Sequence, residues 1–261
     1  MAKDNQDDDE QLLSQEIGKD VEIKKGKEQL HIFSYLIIVF VLLSVVMGVI
    51  IAVLFADVKN ARIEMAQTKQ YIYSIMKNEE RKNRRTVAIQ DISKVIKYYQ
   101  PKTHEWVVEQ SAILIYDIGE VKYNIPFEES IIFFALESRF KRTATSKKWA
   151  KGIGQLMEDT AMWACSELKI TWQGDITLYD TLINIKLSLF VYKKYRERFN
   201  YEFKYYLASY FWGPTTIGKM YNNNEKLKGK YLNYLKDWKK IRIEIENVLD
   251  RKIVIVGSEI E

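Results

Sequence analysis

From Ile32 to Ala56 the chain runs for twenty-five residues without a charge, and Leu, Ile, Val and Phe dominate the run. Nothing else in the 261 residues restricts the architecture as much. At 1.5 Å per residue such a helix reaches roughly 37 Å, enough to cross a bilayer core of about 30 Å with some tilt. A secretory h-region is only about 7–15 residues long, so the run predicts an uncleaved transmembrane helix over 32–56 rather than a signal peptide. Lys19, Lys24, Lys25 and Lys27 precede it and Lys59, Arg62 and Lys69 follow it. The positive-inside rule thus leans slightly toward a cytoplasmic N-terminus.

The span divides two unlike regions. Residues 1–31 carry five Lys/Arg and nine Asp/Glu, a balance of −4, so the total of +5 leaves +9 for residues 57–261. A basic region of this size suits an anionic polymer or a membrane surface, and equally plain solubility. No recognition motif for nucleic acid is present, and nucleic acid is not expected as a partner. Cys165 is the single cysteine, so no intrachain disulfide can form, and its helical setting predicts a small buried hydrophobe. The two histidines support neither Cys-His chemistry nor a zinc site, because Thr103-His104-Glu105-Trp106 lacks the second His of HExxH. No metal and no cofactor is expected.

Along the chain, residues 1–31 read as a disordered acidic tail, with the cluster Asp7-Asp8-Asp9-Glu10 too polar to bury. Residues 57–104 contain no Gly and only Pro101, and predict a helical stalk. Its middle, Lys77 to Arg85, has no apolar face, whereas Ile89, Ile92, Ile96 and Tyr99 share one. A domain is expected to start at Glu105 and run to 222. Helices are expected over 107–120, from Pro126 to about Glu137, and over 156–168, 178–198 and 203–211. Residues 141–151 are expected as a basic loop. Residues 223–261 form a C-terminal extension, with Leu227, Tyr231, Tyr234, Trp238, Ile241, Ile245 and Val248 along one helical stripe. Glu128 and Glu129 are expected at the surface.

The densest motif begins at Glu137. Ala135-Leu136-Glu137-Ser138-Arg139-Phe140 is followed by Ala144-Thr145-Ser146, then Gly152-Ile153-Gly154-Gln155-Leu156-Met157, then Thr160-Ala161. Ser146 stands nine residues after Glu137 and Gln155 eighteen. In these residues and spacings the chain resembles the lytic transglycosylases, lysozyme-like enzymes that cut the glycan strands of bacterial peptidoglycan. That family carries Glu-Ser-x-Phe, a Ser nine residues after the Glu, and Gly-Leu-x-Gln-x-Met-Pro-x-Thr-Ala. Further on, Asn184 matches the Asn of its Asn-Ile-x-x-Gly segment and Tyr210 the Tyr of its Ala-Tyr-Asn-x-Gly-Pro segment. The resemblance covers roughly residues 107–220.

The resemblance implies an all-α, lysozyme-like catalytic domain behind a single transmembrane helix and a helical stalk. It implies Glu137 as the catalytic acid, with Ser138, Ser146, Gly152, Gln155, Met157, Asn184 and Tyr210 binding substrate. In that family the Glu protonates the leaving oxygen of the β-1,4 bond and then serves as base on the C6 hydroxyl of N-acetylmuramic acid, giving a 1,6-anhydro product. Such an acid must be neutral near pH 7, and Phe133, Phe134, Ala135, Leu136 and Phe140 could supply the apolar setting. The substrate lies outside the inner membrane, which implies a single-pass inner-membrane signal anchor with its catalytic domain on the exterior, periplasmic side. Expected partners are peptidoglycan glycan strands, the bilayer through residues 32–56, and an envelope machine for secretion, flagellar assembly or division.

Four positions depart from the family pattern. Trp149, Glu158, Ser188 and Phe211 stand where the family has Gly, Pro, Gly and Asn. They are expected to alter the cleft wall, and Trp149 and Trp212 to stack on sugar rings or pack in the core. They also motivate two alternatives: a non-catalytic wall-binding scaffold, and a lysozyme-like hydrolase using Glu158.

Overall fold

The computed structural model describes residues 4–255, giving the helical backbone alone for residues 4–23. Two compact units divide at Lys77 and Asn78. Helix α1, Asp4–Tyr99, is continuous through both. The tail read as disordered lies partly outside the described residues, and the backbone of residues 4–31 belongs to α1.

In the first unit α1 is long and apolar enough over the uncharged run to cross a membrane, and its large apolar side chains from Leu30 to Phe55 are exposed. Water would not tolerate such a surface on a monomer, whereas lipid would.

The second unit starts at Asn78, well before the expected boundary at Glu105. The reason is the stripe at helical spacing on the last turns of α1. Ala88, Ile92, Val95 and Ile96 are buried in the main core, with Ile89 and Tyr99 packed at its edge. Arg84 bonds to Glu120 and Arg85 to Asp117, fixing α1 to the next elements. Arg251 reaches Asp91 at 2.8 Å and Glu128 at 3.3 Å, tying α1 and Glu128 to the C-terminal segment.

The unit is all-α. Helix α2, Glu105–Leu114, is capped by His104, whose Nδ1 accepts from the Trp106 amide. It passes into a π-helical segment, Ile115–Lys122, where one continuous α-helix was expected. Then follow α3 Phe127–Ser138, α4 Glu158–Leu168, α5 Asp175–Tyr179, α6 Thr181–Arg198, α7 Phe203–Trp212, α8 Pro214–Asn222 and α9 Lys230–Leu249. Asp180 caps α6 by accepting from the Ile183 amide, and Pro214 opens α8, where its missing N–H costs nothing. Helix α8 was not expected.

Two apolar clusters form the interior. The larger gathers α1, α2, α3, α7 and α9 around Phe133, Phe134 and Trp238. The smaller holds α4 to α6 around Leu178 and Leu187, with Cys165 buried in it as expected. The stripe on α9 is core, with Tyr234, Trp238, Ile241 and Ile245 all buried. The extension expected after 222 is therefore an integral wall of the domain.

Candidate active site

Helix α3 ends where it must expose a carboxyl. Its C-cap, Arg139, has φ 53°, and Phe140 follows at φ 59°. Two successive non-glycine residues in the left-handed region are costly, so the turn has to be held by its surroundings. Phe140 is buried, its ring lies 6.1 Å from Tyr99 at 24°, and the Gln100 side chain donates to the Arg139 carbonyl at 3.0 Å. The end of α1 thus braces the turn that presents Glu137.

Glu137 is half-buried. The Tyr234 hydroxyl from α9 donates to its Oε1. Burial pushes its carboxyl up to about 8, and the Tyr234 hydrogen bond opposes the rise only in part. No charged neighbour contributes to the shift. The Glu137 charge in turn helps raise Tyr234 and Tyr210, both lifted first by burial. A partly exposed carboxyl that is neutral at pH 7 can give a proton and later take one back.

The loop from 139 to 157 is tied to the end of α3. It is a knot of turns with isolated bridges Thr145–Lys151 and Lys151–Leu156. Ser138 donates to the Ile153 carbonyl at 2.6 Å, tying the loop to α3 beside the acid. The Ser146 Oγ accepts from the amides of Lys148 and Ala150, closing a small turn. Gln155, at φ 52°, turns its amide back onto the carbonyls of Gly152 and Ala144. Met157 is 46% exposed and free to meet a ligand. Tyr210 donates to the Gly154 carbonyl at 2.8 Å, so α7 pins the same loop.

Two of the expected substrate contacts prove to be interior. Asn184 has no exposed surface. Its Oδ1 accepts from the Gly154 amide at 2.8 Å, and its Nδ2 donates to the carbonyls of Leu178 and Lys151. It fastens α6 to the loop, and burial removes it from direct contact with a sugar. Gly152, at φ 79°, is needed for the same reason. A Cβ there would lie 2.2 Å from the Leu178 carbonyl oxygen and 2.3 Å from Asn184 Nδ2. The close approach serves the protein's own backbone rather than a ligand.

The departures from the family pattern sort in the same way. Ser188 is wholly buried, bonded to Asn184, and stands where any Cβ on Gly154 would strike it, at 1.9 Å. It does not line the cleft as expected. Trp149 is 72% exposed, and Phe211, 51% exposed, stacks on Tyr234 at 4.8 Å. Glu158 is exposed in the first turn of α4 and exerts no effect on Glu137.

Two residues escaped the sequence. Tyr234 is one more aromatic in a core stripe there, and only the folding of α9 against α3 brings it to Glu137. Glu129 was expected at the surface, and the structure buries it to 1% exposure. The cause is a set of partners supplied by α6 and α7: the hydroxyls of Tyr192 at 2.8 Å and Tyr206 at 2.9 Å donate to Oε1, and the Arg196 guanidinium lies 3.8 Å away as an ion pair.

Residues 116–233 match the family model described as "Transglycosylase SLT domain". No curated protein matches the chain. Two solved structures resemble it, both at 16% identity. One is an inactive mutant of lytic transglycosylase Slt from Pseudomonas aeruginosa, with a TM-score of 0.38 over 54% of this chain. The other is the 70 kDa soluble lytic transglycosylase of Escherichia coli, with a TM-score of 0.41 over 59% of this chain. This chain spans 28% of the length of each. The matched stretch holds Glu137, Ser138, Ser146, Gly152, Gln155, Met157, Asn184 and Tyr210, and stops one residue short of Tyr234. Residues 116–233, within an all-α unit, are thus similar to the transglycosylase SLT domain.

Proposed function

We propose that this chain is a membrane-anchored peptidoglycan lytic transglycosylase that cleaves the β-1,4 bond between N-acetylmuramic acid and N-acetylglucosamine. The observation that carries the reading is Glu137, an acid lifted by burial to about 8 within the matched SLT domain. Neutral Glu137 gives its proton to the leaving glycosidic oxygen as the C1–O bond breaks. The carbonyl oxygen of the substrate's N-acetyl group supports the electron-poor C1. The C6 hydroxyl oxygen then bonds to C1, its proton returns to the Glu137 carboxylate, and a 1,6-anhydro ring results with no water consumed. Tyr234 holds the carboxyl and stabilises its ionised form between the two steps. Met157, Trp149 and Phe211 offer exposed apolar surface to the sugars. The lack of a carboxylate acting on Glu137 supports this outcome over a two-carboxylate hydrolysis.

Residues 32–56 anchor the enzyme in the inner membrane, with the N-terminus cytoplasmic and the SLT domain on the periplasmic side. The length and apolarity of the span and the whereabouts of the substrate support this topology. Tethering favours local opening or remodelling of the wall beside an envelope machine over free recycling. The test is mass spectrometry of purified peptidoglycan digested by the full chain in detergent, with Glu137→Gln beside it. Anhydro-muropeptides are expected from the wild type alone. Reducing-end products, or equal release by the variant, would overturn the reading.

A further inference from the structure

Three segments meet beside Glu137, and acid is almost absent from them. Between Glu137 and Glu158 lie six basic residues and no Asp or Glu. Between Glu202 and Glu225 there is again no acid. Between Glu225 and Asp237 stand Lys226, Lys228, Lys230 and Lys236, with no acid among them. The rest of the domain is rich in both signs.

The fold brings the three segments together at one ring. Lys148, from the loop after Ser146, places its Nζ 5.6 Å from the Trp212 ring centroid. Lys230, at the start of α9, places its Nζ 4.6 Å from the same centroid and 5.3 Å from that of Tyr231. Both lysines are exposed, and neither has a carboxylate partner among the described residues. Two like charges gathered on one indole repel each other, and the ring faces offset that only in part. A bound anion would complete the arrangement.

The position relative to the acid is fixed by a run of rings. Trp212 lies 5.1 Å from Phe211, Phe211 stacks on Tyr234 at 4.8 Å, and Tyr234 bonds to Glu137. The lysine pair is therefore two rings away from the Glu137–Tyr234 contact. The glycan backbone carries no charge there once its lactyl carboxyl is joined to peptide. The substrate's free carboxylates lie on the peptide stem.

We infer that Lys148 and Lys230 form a carboxylate-binding subsite beside Trp212, which takes the free carboxylate of the peptide stem. The inference rests on the transglycosylase reading for its substrate and makes the enzyme selective for strands that keep their stems. Exposed charge pairs are individually weak, so the gain expected from two is about fivefold in affinity, and it shrinks as salt rises.

The test is calorimetric binding to the full chain in detergent, in the Glu137→Gln background so that no ligand is consumed. The ligands are one muropeptide and the same muropeptide with its stem carboxylates amidated. The acid form is expected to bind about fivefold more tightly than the amide. Lys148→Gln with Lys230→Gln is expected to erase that gap and leave binding of the amidated form within twofold. Equal binding of the two forms, or a gap that survives the double substitution, would overturn the subsite. Glycan cleavage by the wild type is scored separately: its absence would sink the transglycosylase reading, while the binding gap would still decide the subsite.

Discussion

Helix α3 carries two glutamates two turns apart on one face, Glu129 and Glu137, and the fold treats them in opposite ways. Both are raised above the usual carboxyl range, and burial is the first cause in each case. Glu129 is sealed in the core and met by Tyr192, Tyr206 and Arg196. Glu137 keeps part of its surface and receives one hydroxyl, from Tyr234, and no cation. A carboxyl held by two hydroxyls, with a guanidinium close by and no opening, is a structural crosslink. A carboxyl desolvated by apolar neighbours, with one donor and an open side, has a proton to give. The difference lies in the partners rather than in the residue or the helix.

The sharpest way to break this contrast is to neutralise each acid in turn. Glu137→Gln keeps the shape and removes the proton, and glycan cleavage measured by muropeptide release is expected to fall about a thousandfold. Glu129→Leu should act on stability instead. It leaves Tyr192 and Tyr206 without their acceptor and Arg196 without its ion-pair partner, at a cost of about 3 kcal/mol in chemical denaturation, while turnover per folded molecule stays near wild type. A loss of turnover in the folded Glu129→Leu protein would mean that the two carboxyls act together.

Tyr234→Phe tests the single donor. Its hydrogen bond favours the ionised form of Glu137, so its loss should push that carboxyl further up. Turnover is expected to drop about tenfold, and the alkaline limb of the pH–rate profile to move to higher pH. An alkaline limb that stays in place would show that Tyr234 packs without tuning.

The smallest effect is on stability against pH. Folded Glu137, at about 8, holds a proton that the unfolded chain has released by about pH 5. The wild type should therefore lose stability as pH climbs from about 5 to about 8, and the loss levels off once the folded carboxyl ionises as well. Glu137→Gln has no such slope and should gain on the wild type by about 1 kcal/mol or more at pH 9. Parallel stability curves for the two proteins would contradict the raised acid.

The sequence made some of this contrast legible and hid the rest, for physical reasons. Glu137 could be read because its partners in the loop are local: Ser138, Ser146, Gly152 and Gln155 all lie within eighteen residues. Their roles were less legible. Gly152 and Asn184 were read as facing sugar, and they face each other, because a tight loop packed on α6 makes the same demand for a small residue as a ligand does. Glu129 and Tyr234 were misread or missed because their partners are 63 and 97 residues away in the chain. The apolar stripe on α1 was visible as a stripe, but helical spacing alone does not say what it packs against. It proved to be core, bracing the turn after Glu137 through Tyr99 and Gln100.

The most direct measurement is the titration of Glu137 itself. Carboxyl-carbon NMR of glutamate-labelled full chain in detergent would follow it, with Glu137→Gln identifying the signal. A carboxyl titrating near 8 in the wild type and missing from the variant is expected. A Glu137 signal that titrates near the ordinary value of about 4.3 would leave the site with an ionised carboxylate at neutral pH and no acid to begin the reaction.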